Sequence, residues 1–380
     1  MPARPPWPYS LSLLASLLIC CGCERPLFNR AAGTSSTESN DEWRTHGCFG
    51  GKGQGISLIA VCPRQPGEPT TYDPFIATAD ALLDPLDVHR CMIVHLGGSV
   101  KLWGQPDYEV ELLSTFVPRA ARDLRFTPDG RGLAYACGEG VIIWHIGERR
   151  FETRLSASED TWFELSTDCR WIVRIECGDD QQKTITVFDF ETTEPRGTIS
   201  IRSGRCPLCH ISSDGSRLST VLYEREPGPP TAVVFNLETR ARELSVPIDD
   251  GTNYRAAWSA SGKILAAPNA TDDIIQIWDM AKGELRSTAG KQSKIRCVAI
   301  SPDERLVITG GEGEKQGKAA GEVVIWDART GRELGRHWDE SSWGVTALAI
   351  TEKGMLMIGN GDGYVILKKI PDRILAQVMP

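Results

Sequence analysis

Beyond residue 22, this 380-residue chain has no apolar run approaching the roughly twenty residues that a membrane-crossing helix requires. Positive charge is in deficit: 42 Lys+Arg stand against 50 Asp+Glu, a formal −8, which argues against nucleic acid as the main partner. Histidine is sparse, with six residues at 46, 89, 95, 145, 210 and 337 and none in zinc-protease spacing. No Gly-x-Ser-x-Gly elbow is present. The two glycine-rich stretches do not make phosphate loops. Ala319 follows Gly317-Lys318 where a hydroxyl residue is needed, Glu312 takes the place of the first glycine, and Gly50 to Gly55 fails the same test. Asp249-Asp250-Gly251 and Asp362-Gly363 bring too few oxygens for a dedicated calcium loop. No cofactor and no metal are implied. What the chain has in quantity is 37 Gly, 23 Pro and 11 Trp, a mix that favours many short strands and turns over long helices.

The N-terminus reads as an export signal. Arg4 precedes the apolar segment Leu11 to Ile19, which is followed by Cys20-Cys21-Gly22-Cys23. About ten apolar residues are too few to span a bilayer. The segment resembles the signal of a bacterial lipoprotein, with small Gly22 before the cysteine to be lipidated, Cys23, although Cys20 stands where leucine is usual. The resemblance implies residues 1–22 as a removed signal and a membrane anchor at Cys23 in the cell envelope, with plain secretion or a periplasmic location as the alternative. Residues 23–54 then read as a tether, since Gly33 to Glu42 offers almost nothing apolar to bury.

Residues 55–380 are built from one recurring unit. A short β-branched run closed by an aromatic returns as Ser99–Trp103, Gly140–Trp144, Thr184–Phe188, Ala232–Phe235, Ile274–Trp278 and Glu322–Trp326, with Tyr364–Leu367 a weaker seventh. The closing residues are spaced by 41, 44, 47, 43, 48 and 41 positions. Within a unit the order repeats: Ile295–Ile300 reads as a strand, Ser301-Pro-Asp-Glu304 as a turn, Arg305–Thr309 as a second strand, the aromatic-closed run as a third, and Thr330–Leu334 as the way into a fourth. Thr127-Pro-Asp-Gly130, Ser213-Asp-Gly215, Ser261-Gly262 and Lys353-Gly354 are equivalent turns. Four short strands at a period near 43 residues describe a propeller blade.

On these residues the chain resembles the WD-repeat β-propeller family. Trp278-Asp279 and Trp326-Asp327 are the family dipeptide, and Trp144-His145, Phe188-Asp189 and Phe235-Asn236 are eroded forms of it. The resemblance covers about residues 76–378 and implies an all-β, seven-bladed propeller of four-stranded antiparallel blades. The family's Gly-His pair, whose imidazole joins a buried network with Trp, Ser/Thr and Asp, is missing from every unit, so these blades are expected to lean on apolar packing. Two segments compete to close the ring: Arg373–Val378, or Ile56–Cys62, the second being favoured because it latches the N-terminus onto the last blade.

In the resembled fold, the loops between second and third strands share a face with the loops entering each blade. Gly178–Lys183, Glu224–Pro230 and Gly310–Gly321 are swollen second-to-third connections, so inserted length gathers on that face. Glu224, Arg225, Asp249, Asp250, Tyr254, Trp338, Asp339, Glu340 and Trp343 make it acidic with aromatic islands, a pattern suited to a protein or peptide partner presenting basic residues. The plainer reading has Trp338 and Trp343 capping the core while the acids solvate loops.

Cys206-Pro-Leu-Cys209-His210 matches the covalent haem pattern, but it falls in register with the first strand Val298–Asp303, which leaves no helical haem pocket. Nine cysteines follow Cys23, an odd number; Cys48 with Cys62 is the most plausible disulfide, while Cys137, Cys177 and Cys297 suit core positions. The leading function is therefore a non-catalytic interaction platform. The alternative is an exported propeller enzyme or redox protein with a site in the central channel. The apolar or small inner strands Val345–Ile350 and Arg255–Trp258 disfavour it.

Overall fold

Each unit is organised by two side-chain-anchored turns. At the first, a Ser or Thr hydroxyl accepts the N–H of the residue five positions on: Gly132 to Thr127 at 2.8 Å, Trp171 to Ser166 at 3.0 Å, Arg217 to Ser212 at 3.0 Å and Leu306 to Ser301 at 2.9 Å. The same hydroxyl donates to the Asp two residues later, at 2.6 Å in Thr127–Asp129, Ser166–Asp168 and Ser212–Asp214. At the second, the residue after the closing aromatic caps the next turn. Asp189, Asn236, Asp279 and Asp327 each accept two backbone N–H groups, which is why Phe-Asp and Phe-Asn serve as well as Trp-Asp.

The computed structural model describes residues 123–378 apart from 138–139, 146–147, 149, 157–160, 179–180, 205–208, 225–228, 249–255, 270–272, 340–343 and 352–353, together with the backbone of five earlier strands. Residues 38–380 form one compact unit. Six blades are each made of four consecutive antiparallel strands. Blade 1 comprises Ile56–Val61, Ile76–Asp80, Gly98–Gly104 and Val110–Val117; blade 2 comprises Asp123–Phe126, Gly132–Cys137, Gly140–His145 and Arg150–Ser156. Blade 3 comprises Thr161–Leu165, Trp171–Cys177, Gln182–Asp189 and Pro195–Arg202; blade 4 comprises Cys209–Ile211, Arg217–Leu222, Thr231–Asn236 and Arg242–Pro247. Blade 5 comprises Ala257–Trp258, Ile264–Pro268, Ile274–Asp279 and Glu284–Lys291; blade 6 comprises Ile295–Ile300, Leu306–Lys315, Lys318–Asp327 and Glu333–Asp339.

The expectation of seven equivalent blades is therefore corrected to six. The remaining sheet is a composite: Val345–Ile350, Met355–Asn360 and Tyr364–Lys369 from the C-terminal end, completed by Arg44–Gly50 from the N-terminal end. Both expected closures are corrected as well. Arg44–Gly50 runs antiparallel to Tyr364–Lys369, with Cys48 opposite Ile366. Ile56–Val61 is the inner strand of blade 1 and lies against both Val345–Ile350 and Asp123–Phe126. Residues Asp372–Ala376 form a short helix instead of a strand, started by Pro371. Arg44–Gly50 also lies within the stretch read as tether, which contains this strand.

The core sits between sheets. Ile264, Ala266, Ile275 and Ile277 of blade 5 pack against Val307, Val324 and Trp326 of blade 6, all at most 4% exposed. Residues alternate along each strand, so one set faces the preceding blade and the other faces the following one. In blade 6, Val323 and Ile325 turn the other way, onto Val345, Leu356 and Ile358 of the composite sheet. The C-terminal helix fastens this seam: Ile374 is buried against Gly335, where an added Cβ would lie 2.4 Å from Ile374 Cδ1.

The turn anchors give a testable acid limb. Hydrogen bonds from the Ser212 hydroxyl and from the N–H and hydroxyl of Ser216 hold the Asp214 carboxyl down to about 2, against an ordinary 3.8. A depressed carboxyl stabilises the fold fully above its unfolded value and ceases to do so as pH falls toward the folded one. Ser212→Ala is expected to cost about 1–2 kcal/mol in urea unfolding at pH 7. The gap between wild type and Asp214→Asn is expected to shrink as pH falls from about 4 to about 2.

Candidate docking face

Antiparallel connectivity places the first-to-second and third-to-fourth turns at one end of every blade. The second-to-third connections and the links into the next blade emerge at the other end, the loop face. In blade 6 the swollen segment Gly310–Gly321 is not a loop. Its two ten-residue strands stay paired out to Lys315 opposite Lys318, closed by Gln316-Gly317. Gln316 at φ 55° and Gly317 at φ 78° are both left-handed, as a two-residue type I′ hairpin requires. The inner neighbour stops at Ile295 opposite Gly311 and the outer one at Asp339 opposite Gly321, so a two-stranded ribbon stands clear of the blade. At its base Glu312 receives Lys294 Nζ at 3.0 Å and the guanidinium of Arg296. Its tip exposes Glu314, Lys315 and Lys318. The expected acidic character thus does not extend to the ribbon.

Trp338 lies beside this ribbon, opposite Glu322 in the ladder. A Cβ built on Gly313 would lie 2.6 Å from Trp338 Cζ3 and 3.2 Å from Glu322 Cβ, so only glycine admits the indole there. Below it Glu322, 2% exposed, accepts from the Arg336 guanidinium. Arg336 also engages Glu333 through Nε at 3.1 Å and Nη2 at 2.8 Å, and the Lys291 carbonyl at 3.2 Å. Burial lowers Arg336 and raises Glu333 from their ordinary values. On the opposite face of the same strand, burial brings His337 down to about 4, aided by Lys368 and Lys315, so the ring is neutral at pH 7.

Asp339 is turned into the seam with the composite sheet, 7% exposed, and accepts Asn360 Nδ2 at 3.1 Å. It acts there as a tie between sheets and not as a solvated acid. Glu224 is at the surface and pairs with Arg242 at 2.9 Å. Arg225, Asp249, Asp250, Tyr254, Glu340, Trp343, Cys23 and Cys62 lie outside the described residues, as do the 1–22 signal and Cys206; of Cys48 only the backbone is described. The structure therefore brings Trp338 together with Glu322, Glu333 and Arg336, none of which the sequence reading placed in a site. Glu322 was visible only as the first residue of a repeated strand.

The missing Gly-His network has a substitute in blade 6. Trp326 Nε1 donates to Thr309 Oγ1 at 2.9 Å, the Thr309 hydroxyl donates to Gln292 Oε1, and Gln292 Nε2 donates to the Glu322 carbonyl at 3.0 Å. All three side chains are at most 1% exposed, so the expectation of apolar packing alone is corrected here. In blade 5 the equivalent Trp278 Nε1 is buried with no hydrogen-bond partner.

The inner strands of blades 2 to 4 are more polar than those of blade 5 and the composite sheet. Their carboxylates tie neighbouring blades: Asp123 accepts Leu165 N–H and Glu164 accepts Cys209 N–H, each at 2.9 Å. Cys209 and His210 do lie on an inner strand, Cys209–Ile211. Desolvation lowers His210 to about 4, and its ring stacks on Trp258 at 6.3 Å and 9°. Cys137 and Cys177 end second strands and Cys297 lies on a first strand, as expected, and Cys137, Cys169 and Cys209 are buried.

Two comparisons bear on this architecture. Residues 283–327 match the model of the WD domain, G-beta repeat. That segment holds Gln292, Thr309, Trp326 and Asp327, the network and cap just described. The chain is also similar to WD repeat-containing protein SL1-17 of Schistosoma mansoni, 23% identical over 195 residues. The alignment takes in 51% of this chain and 60% of that protein. Together they show a likeness to WD-repeat proteins over part of the chain, in keeping with the repeated four-stranded sheets.

Gln292→Leu removes the acceptor of the Thr309 hydroxyl and the donor to the Glu322 carbonyl and is expected to cost about 2–3 kcal/mol. Gln292→His, which restores the family's residue type, is expected to cost less than half as much, measured by urea unfolding of both variants side by side.

Proposed function

We propose that this protein is a non-catalytic docking platform that engages a protein or peptide partner through its loop face. The observation that carries the reading is the asymmetry between the two ends of the blades. One end holds short, self-satisfied turns; the other carries an ordered ribbon with a partly buried tryptophan at its flank, and aromatic anchors of this kind dominate interface energies. The mechanism is complementarity of shape and charge, with no bond made or broken. Asp123 and Glu164, on the first strands of blades 2 and 3, already accept backbone N–H groups.

The platform is further proposed to be held at a bacterial envelope membrane through lipid on Cys23. Support comes from the apolar segment Leu11–Ile19 and the small residue Gly22 before that cysteine. Among the described residues no helix is long and apolar enough to cross a membrane, so attachment of this kind would fall to the lipid.

Lysine-directed cross-linking in envelope extract separates the two faces. Partner peptides are expected on Lys294, Lys315 and Lys318 of the loop face. Links confined to Lys263 and Lys282, in the turns of the other end, would reject the docking face. For the anchor, Cys23→Ser is expected to move the protein from the membrane fraction to the soluble one, and the mature wild-type N-terminal peptide to carry acyl mass. An unchanged fractionation refutes lipidation.

A further inference from the structure

In the seam between blades 5 and 6 two carboxylates share one guanidinium. Glu322 on the third strand of blade 6 and Glu333 and Arg336 on the fourth share the face turned toward blade 5, where Val324 and Trp326 pack against blade 5 side chains. One guanidinium serves two carboxylates and one carbonyl, that of Lys291. Glu333 uses both its oxygens on Arg336. Glu322 uses only Oε1; its Oε2 is buried and has no hydrogen-bond partner. The exposed ammonium of Lys291 pairs with neither carboxylate, although its own carbonyl is bound to Arg336. Arg336 divides its charge between the two carboxylates, and a buried carboxylate oxygen that receives no donor carries a desolvation cost that an added cation offsets.

The surroundings specify the missing group. Trp338 stands opposite Glu322 in the ladder and leans over Gly313, so an indole borders the approach from the loop face to the orphan oxygen. A carboxylate oxygen next to an aromatic ring suits the end of a lysine or arginine side chain, whose methylene stem lies on the indole while its N–H groups meet the acid. We infer that the blade 5–blade 6 seam is the seat for one basic side chain of the protein partner, held by Glu322 Oε2 and Trp338. The inference rests on the docking-platform reading and gives that partner its chemistry: a segment presenting an exposed lysine or arginine at the contact centre.

The test uses dye-labelled, acetylated octapeptide pools randomised around one fixed arginine, lysine or citrulline, with binding read by fluorescence anisotropy on the full chain. Arginine and lysine pools are expected to bind at least tenfold tighter than the citrulline pool, which has the shape of arginine without its charge. That preference is expected to vanish in Glu322→Gln and to weaken several-fold in Trp338→Leu. If Glu322→Gln does not fold, Glu333→Gln carries the test, because the Glu333 side chain is 37% exposed and tolerates the change. It is expected to weaken the preference by lowering the negative charge of the seam. Equal binding of the arginine and citrulline pools, no binding of any pool at millimolar peptide, or a preference that survives the carboxylate variants overturns the seat. Full displacement of the arginine pool by equimolar spermidine overturns the assignment to a protein partner. If the seat fails while cross-links still map to Lys294, Lys315 and Lys318, the docking platform stands without it; if those links fail too, both readings fall.

Discussion

The antiparallel pairing of Arg44–Gly50 with Tyr364–Lys369 is the contact on which the rest of the molecule depends. Each sheet buries its two faces only against its neighbours, so a row of sheets is stable only when the first meets the last. Here the first strand of blade 1 already touches the inner strand of the composite sheet, but that sheet is one strand short until the N-terminal segment arrives. The closing strand therefore joins residues more than 300 positions apart. Its entropic cost rises only with the logarithm of that separation, whereas its effect on folding rate is larger, because the latch forms after the local hairpins. The C-terminal helix then secures the same sheet to blade 6 by setting Ile374 against Gly335. The loop face of blade 6, with its ribbon and Trp338, lies beside this seam and inherits its rigidity from it.

Strand order was legible in the sequence wherever a strand carried its own pattern. The runs closed by Trp144, Phe188, Phe235, Trp278 and Trp326 all form third strands, because a β-branched segment ending in an aromatic specifies a buried strand, and in the last four the Asx residue that follows also specifies the turn. Arg44-Thr-His-Gly-Cys-Phe-Gly50 carries no such pattern. Its strand character comes from the partner it pairs with, which no local reading contains. At the C-terminal end the cause is the opposite: apolar residues at 374, 375 and 378 suit an outer strand, but Pro371-Asp372 starts a helix. In Gly310–Gly321 the abundance of glycine masked the Gln316-Gly317 hairpin signal. Those glycines are needed because neighbouring groups crowd the ribbon, including Trp338 at Gly313 and the Lys294 carbonyl at Gly311. Gln292 carries no signature of its own in the sequence, because an amide offers the same donor and acceptor as an imidazole without its pattern.

Many of the described carboxylates are bound by groups of the chain itself. The carboxylates sort into a few structural tasks, each set by position in the repeat. Asp129, Asp168 and Asp214 lock first turns; Asp189, Asp279 and Asp327 cap second turns. Asp123, Glu164 and Glu304 accept backbone N–H groups across blade boundaries, and Glu304 holds a left-handed backbone, φ 60°, while its two oxygens take the N–H and hydroxyl of Ser261. Asp339 receives the Asn360 amide. A carboxylate that bonds to backbone N–H groups is stabilised without any cation, which is how a chain of net −8 closes a ring of sheets without a matching set of ion pairs.

Glu322 departs from this economy of local partners. Its backbone carbonyl serves the Gln292 network and one carboxylate oxygen meets Arg336, so the residue joins the buried core of blade 6 to the outer seam. Among the described residues it is the one acid with a buried oxygen that has no hydrogen-bond partner. A purely structural role at this position would be met by glutamine, which offers Arg336 the same carbonyl-type acceptor and introduces no second charge. Retaining an acid beside Glu333, where a single guanidinium must serve both, costs desolvation that the fold itself does not recover. On the proposed docking reading, a basic side chain brought in over Trp338 offsets that cost, which makes this carboxylate the group that reads the partner's charge.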